Sequence, residues 1–201
     1  MTPRPRASGV LFVVVTLAAL VGVAITASLG RWQLGRAAEK LAYEQTLTSR
    51  AALPALDGAS LAKADAAGAA EDLRHRTVEL EGLWLPEHTI YLDNRQMQGR
   101  PGFFVITPLQ LRGTSAVVLV QRGWVPRNFQ DRTQVPDVVT PAGAVQVRGR
   151  VATPPSRLYE FSAGDSAPGS SRIRQNLDLA AFRSATQLPL LDLSVVQLGE
   201  P

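Results

Sequence analysis

Cysteine is absent from all 201 residues, which excludes disulfides, thiolate metal sites, iron–sulfur clusters, covalent haem attachment and thiol nucleophiles at once. Histidine occurs only at 75 and 88, and methionine only at 1 and 97. A copper carrier needs clustered soft ligands, and this chain has none to cluster. Without cysteines the redox compartment stays open, since such a chain folds on either side of a membrane. The few aromatics are not interleaved with the arginines and no nucleic-acid motif is present, so nucleic acid is excluded as a partner. Catalytic motifs are missing too: there is no HExxH, GxSxG or P-loop, and no GxGxxG following a strand. His75 and His88 sit on expected loops and read as surface histidines, and "AGDSAPGSS" (163–171) reads as a small-residue loop. The expectation is a protein that is not an enzyme and holds no metal.

Against these absences stands one long apolar run, "VLFVVVTLAALVGVAITASL" (10–29), twenty residues without a charge. At ~1.5 Å per residue it spans ~30 Å, the thickness of a bilayer's hydrocarbon core. A cleaved signal peptide has an apolar stretch of only ~7–15 residues followed by a small-x-small site. Here the run is longer and the match Gly22-Val23-Ala24 falls inside it, so a retained single-pass anchor is expected. Arg4 and Arg6 precede it, and Arg31, Arg36 and Lys40 follow, so the positive-inside count does not orient it. The short tail (1–9) suggests a cytoplasmic N-terminus and a domain on the outer, periplasmic side. Residues 30–52 contain good helix formers and no proline, and should continue the spanning helix as a juxtamembrane helix. Gln33, Arg36 and Lys40 then share one face, with the cations reaching lipid phosphates and Trp32 at the interface.

The net charge of +4 conceals an asymmetry. Residues 37–94 hold five basic and ten acidic side chains; residues 95–157 hold nine arginines and two acids. The basic stretch suggests an electropositive face for lipid headgroups, a carboxylate-bearing ligand or an acidic partner.

From residue 53 onward the chain reads as one β-rich soluble domain. Pro54 and "LDG" break the helix, and "ASLAKADAAGAA" (59–70) is a short helix or a loop. Strands are expected at 76–84, 89–94, 103–111, 116–122, 144–151, 171–177 and 190–198, with a helix over 177–188 in which Asp178 is an N-cap or a first-turn acid. Short strands separated by Gly and Pro turns indicate a mainly β (α+β) fold: an antiparallel sandwich or barrel with short peripheral helices. "VVLVQRGWVP" (117–126) reads as a buried strand surfacing at Gln121 and Arg122, with Pro126 ending its ladder. Arg122 and Trp124 would then form an exposed cation-plus-ring surface. In "YLDNRQMQGRPGFFVITPL" (91–109) the loop carrying Arg95 and Arg100 reads as too long for a two-residue hairpin. No helix follows its glycines, so it is not a phosphate cradle.

Three blocks, "LGRWQLGRAAEK", "YLDNRQMQGRPGFFVITPLQL" and "VVLVQRGWVPRN", in this order and at this spacing resemble the Surfeit locus protein 1 family. Its members are assembly factors of haem–copper cytochrome c oxidase. The resemblance covers most of 29–151. The family's recurrent residues fall on Gly30, Trp32, Gln33, Arg36 and Lys40, then Asn94, Arg95, Gly99, Gly102 and Pro108, then Arg122, Gly123, Trp124, Val125 and Pro126. It implies an inner-membrane protein that promotes haem a insertion into the catalytic subunit of the oxidase, with that subunit and haem a synthase as partners. Haem a, held transiently, carries two propionates; Arg36, Arg95 and Arg122 are the candidate contacts for them, with Trp32 or Trp124 on the ring edge. The family's second spanning helix and its histidine have no counterpart before Pro201. The sequence is thus either truncated or a one-span variant, and no iron ligand is carried over.

Overall fold

The computed structural model describes residues 7–130, 135–154 and 172–199; Arg4, Arg6 and the loop 163–171 lie outside them. It divides into two units, Met1–Ser49 and Arg50–Pro201.

The first unit is almost all of α1 (Ala7–Ala51), one uninterrupted helix. It is long and apolar enough to cross a membrane, and none of its apolar window is buried against protein. The two threonines of its apolar run are satisfied internally, as a span in hydrocarbon would require: Thr16 donates to the Phe12 carbonyl and Thr26 to that of Gly22, both at 2.9 Å. Arg36 lies one turn beyond Trp32 and stacks over its ring at 5.9 Å.

The second unit is built on seven strands: β1 (Thr77–Trp84), β2 (Ile90–Met97), β3 (Arg100–Leu111), β4 (Val117–Pro126), β5 (Ala144–Ala152), β6 (Ile173–Arg174) and β7 (Leu190–Gln197). Their order is β1-β5-β7-β4-β3-β2-β6, and β1 also pairs with β3. That extra pairing closes β1-β5-β7-β4-β3 into a five-stranded barrel, leaving no open edge around the ring. The long β3 makes closure feasible. One side of it follows β4, while the other is shared between β2 at residues 100–106 and β1 at 109–111. Two pairings, β4–β7 and β2–β6, are parallel, where only antiparallel ones were expected. The chain returns through α3 (Leu179–Thr186) before β7 slots between β4 and β5.

Sequence pattern explains the packing. In β1, Val78, Leu80, Gly82 and Trp84 are buried and alternate with more exposed residues. Val118, Val120, Leu193 and Val195 meet Val78, Leu80 and Leu109 in the largest core cluster. The Ala-rich segment forms α2 (Gly58–Ala66), capped by Asp57, which accepts from the Ser60 N–H at 2.8 Å. It drops Leu61 into that cluster. Asp178 caps α3 by accepting from the Ala181 N–H at 2.9 Å. Phe182 from α3 fills a second cluster with Ile90, Leu92, Ile106 and Leu119.

Candidate functional site

Beyond the barrel, the ends of β2, β3 and β4 form a three-stranded arm. Of the residues singled out by sequence, Asn94, Arg95, Gly99, Gly102, Arg122, Gly123, Trp124, Val125 and Pro126 all lie in it. Gly30, Trp32, Gln33, Arg36 and Lys40 lie on α1, in the other unit. Pro108 sits on β3 within the barrel, opposite Leu119.

At the tip, Met97 pairs directly with Arg100, and Gln98 and Gly99 both have positive φ, 51° and 75°. This is a two-residue hairpin of the kind that matches strand twist. The longer loop expected from sequence is corrected: β2 and β3 run on through residues read as connection, and the turn lacks the Asn-Gly pair that advertises it.

Two irregularities set the arm's side chains. β2 is interrupted at Asp93 and Asn94, between the pairs Leu92–Phe104 and Arg95–Gly102; Asn94 has φ 58°. β4 is interrupted at Arg122, between the pairs Gln121–Ile106 and Gly123–Val105. Bulges re-aim side chains, and here each is associated with an arginine that turns inward. Arg95 is 7% exposed and Arg122 4%.

Arg122 stacks over the Trp84 ring at 4.8 Å and donates to the Val139 carbonyl and the Thr140 hydroxyl, both at 2.7 Å. It thereby ties the segment 138–140 across the sheet, beside Val135 and Val138, which pack on Tyr91, Phe103 and Val105. Tyr91 adds a second tie, its hydroxyl donating to the Pro136 carbonyl at 3.1 Å. Arg95 stacks over Phe104 at 5.9 Å and donates to the Gln175 carbonyl at 3.3 Å, holding the segment after β6. Burial pushes both guanidiniums below their ordinary range, with the Tyr91 phenol counteracting at Arg122.

Phe103 and Phe104 are adjacent on β3 and face opposite sides of the sheet. Arg95, over Phe104, and Arg122, beside the segment that covers Phe103, therefore occupy opposite faces. The expectation that β4 surfaces at Arg122, and that Arg122 joins Trp124 in one exposed surface, is corrected: the strand continues to Pro126 and the bulge turns the arginine into the fold.

Trp124 is half-buried. Its indole N–H donates to the Arg95 carbonyl at 2.8 Å, and its ring lies on Gly102, where a Cβ would overlap both the ring and the Val125 carbonyl. Arg127 pairs with Asp93 and stacks over Phe103 at 5.5 Å. The arm is thus a rigid sandwich of guanidiniums and rings, which sequence reasoning read as separate surface features. Arg172 over Tyr91 and Arg174 over Phe182 extend the pattern.

The charge asymmetry is largely spent inside the molecule. Glu81 with Arg112, Glu79 with Arg148 at 4.0 Å, and Asp93 with Arg127 each join the acidic stretch to the basic one. With Arg95 and Arg122 buried, Arg100 and Arg150 are the described arginines of 95–157 left exposed without a carboxylate partner.

No group of three metal-ligating side chains occurs among the described residues. His75 has φ 68° and donates its backbone N–H to the Val151 carbonyl at 2.9 Å. Desolvation, then the neighbouring arginines, holds its imidazole below the usual histidine range. His88 lies 3.7 Å from Glu87 at the turn before β2. As a paired grip on the two propionates of haem a, Arg95 and Arg122 do not fit: among the described residues their guanidiniums are enclosed by the protein's own groups and lie on opposite faces.

Comparison with known proteins matches residues 20–200 to a model of the SURF1 family. The chain belongs to the SURF1 family. A SURF1-like protein of Rickettsia prowazekii is 30% identical over 181 residues, covering 88% of this chain and 67% of the relative. Surfeit locus protein 1 of Arabidopsis thaliana is 35% identical over 123 residues, 55% of this chain and 33% of that one. A SURF1-like protein of Rickettsia felis is 30% identical over 121 residues, 59% and 48% respectively. The chain thus spans a third to two thirds of the length of these SURF1-family relatives.

Proposed function

We propose that this protein is a membrane-anchored assembly factor for haem–copper cytochrome c oxidase that promotes haem a insertion into the catalytic subunit. Its β domain would face the periplasmic side of the inner membrane, with the catalytic subunit and haem a synthase as its partners. The observation that carries this reading is SURF1-family membership across residues 20–200, together with a helix able to cross a bilayer. The arm's chemistry bears on how the domain would work. Its arginines hold the protein's own segments, so the domain is suited to present a fixed surface to polypeptides. Replacing the candidate pair Arg95 and Arg122 would then act through the arm's shape.

That same burial favours a second reading, a membrane-anchored adaptor that handles no cofactor. Deletion separates the two. An insertion factor leaves oxidase polypeptides in the membrane with haem a lost from their spectrum. An adaptor loses polypeptides and haem together, and unchanged haem a content after deletion would refute the first reading.

A further inference from the structure

The tip of the arm carries large apolar side chains in the open. Phe129, just past β4, is 73% exposed, and Met97, at the end of β2, is 45% exposed. The topology puts them at one end of the sheet. Pro126 of β4 lies opposite Gly102, and the Arg127 N–H donates to the Pro101 carbonyl at 3.2 Å. The chain leading to Phe129 therefore runs beside the Met97–Arg100 hairpin. Arg100 is exposed there too.

We propose that this tip is a lipid contact: Phe129 and Met97 enter the headgroup–acyl boundary of the bilayer that α1 crosses, with the Arg100 guanidinium at phosphate level. A ring and a thioether flanking a guanidinium suit that boundary, where aromatic groups settle and arginine pairs with phosphate. The occupant is argued from the chain itself. A protein carrying its own membrane helix keeps lipid within reach at every moment, so even a weak contact is favoured by its high effective concentration.

The arm's rigidity matters here, because the Trp124–Gly102 packing and the Arg127–Asp93 pair hold the tip without an ordering cost at the moment of contact. This inference rests on α1 crossing a bilayer and is independent of the oxidase reading.

The cysteine-free chain permits a direct test. Single reporters are placed at Gln96→Cys and Gln130→Cys, beside but not on the apolar residues, and at Ser115→Cys in the turn at the opposite end of β3. Each full-length variant is labelled with an environment-sensitive fluorophore and reconstituted into phosphatidylcholine–phosphatidylglycerol vesicles. Lipids carrying a shallow acyl-chain quencher should extinguish most emission at 96 and 130 and none at 115, with aqueous iodide showing the reverse. Adding Met97→Ser and Phe129→Ser should return both tip reporters to the behaviour of 115. Tip reporters quenched by iodide as fully as 115, or shielded only when another polypeptide is present, would overturn the lipid assignment and leave family membership untouched.

Discussion

Replacing Arg122 by alanine removes a side chain that joins β4, the Trp84 ring and the segment 138–140. Two hydrogen bonds from a charged donor, each at 2.7 Å, are worth about 1.5–3 kcal/mol apiece. The stack over Trp84 at 4.8 Å adds up to about 2 kcal/mol in a desolvated setting. Against this stands the relief of no longer burying a cation, itself several kcal/mol. The difference leaves Arg122→Ala destabilised by about 2–4 kcal/mol, in the range of other buried-network losses. For a domain of this size each kcal/mol moves Tm by about 2–4 °C, so a fall of roughly 4–16 °C is expected. Arg122→Met separates the terms, since it keeps apolar volume over Trp84 and buries no charge; it should recover at least half of the loss. Both variants should speed amide exchange at 137–140, because neither can hold Val139 and Thr140. Near-UV dichroism in detergent follows the domain through Trp84 and Trp124 once Trp32 of α1 is replaced by phenylalanine in every variant and in the reference chain. An alanine variant that melts with the wild type and exchanges 137–140 at the wild-type rate would refute the assignment of Arg122 as a structural clamp.

Gly102→Ala should be similarly damaging, by about 1–3 kcal/mol or more. Its Cβ would overlap the Trp124 ring and the Val125 backbone, and a retained Trp124 fluorescence environment would argue against that packing. Gln98→Asn should stabilise the hairpin by roughly 0.5–1 kcal/mol, because asparagine tolerates the positive φ that glutamine resists; a lower Tm would contradict the turn geometry. Asp65 accepts from the Asp192 N–H at 3.0 Å, and desolvation is the main cause holding its carboxyl above the ordinary value. The fold therefore favours its protonated form. The stabilising contribution is full below the unfolded pKa and declines as pH rises through the folded one. Thermal melts across the acidic range should show that decline in the wild type and a flatter profile in Asp65→Asn.

Much of the domain was readable because alternation records burial. The sequence "TVELEGLW" shows its β1 face directly and Asp178 marks the start of α3, whereas the Asp57 cap of α2 settles what the sequence leaves open between helix and loop. Barrel closure was not readable, because it depends on Gly82, Leu83 and Trp84 meeting Leu111, Gln110 and Leu109, a long-range pairing that leaves no local mark. The fate of Arg122 was hidden for a related reason. Local rules place an arginine at a strand end in solvent, and nothing nearby in the chain reveals that Trp84 and residues 138–140 will enclose it. A bulge defeats period-two reading as well, since one extra residue inverts the faces beyond it. The signal that could have helped was composition. Of 21 basic residues only Lys40 and Lys63 are lysine, and guanidiniums stack on rings where ammoniums stay hydrated.

That preference changes what the resemblance residues mean. Arginine, glycine, tryptophan and proline at strand ends look like a ligand grip when each is imagined alone. Assembled, Gly102 admits the Trp124 ring, Trp124 holds the Arg95 carbonyl, and Arg95 and Arg122 fasten covering segments on opposite faces. Their shared product is one stiff projection whose outermost groups are Met97, Arg100 and Phe129. A substitution inside the projection would therefore act at a distance, by letting the tip wander, and should be partly rescued by any change that stiffens the arm again. Gln98→Asn combined with an arm-loosening variant such as Arg95→Gln makes that testable. Tip reporters should regain part of their shielding in the double variant if rigidity is what Arg95 supplies, and none if its guanidinium is needed for contact with a ligand.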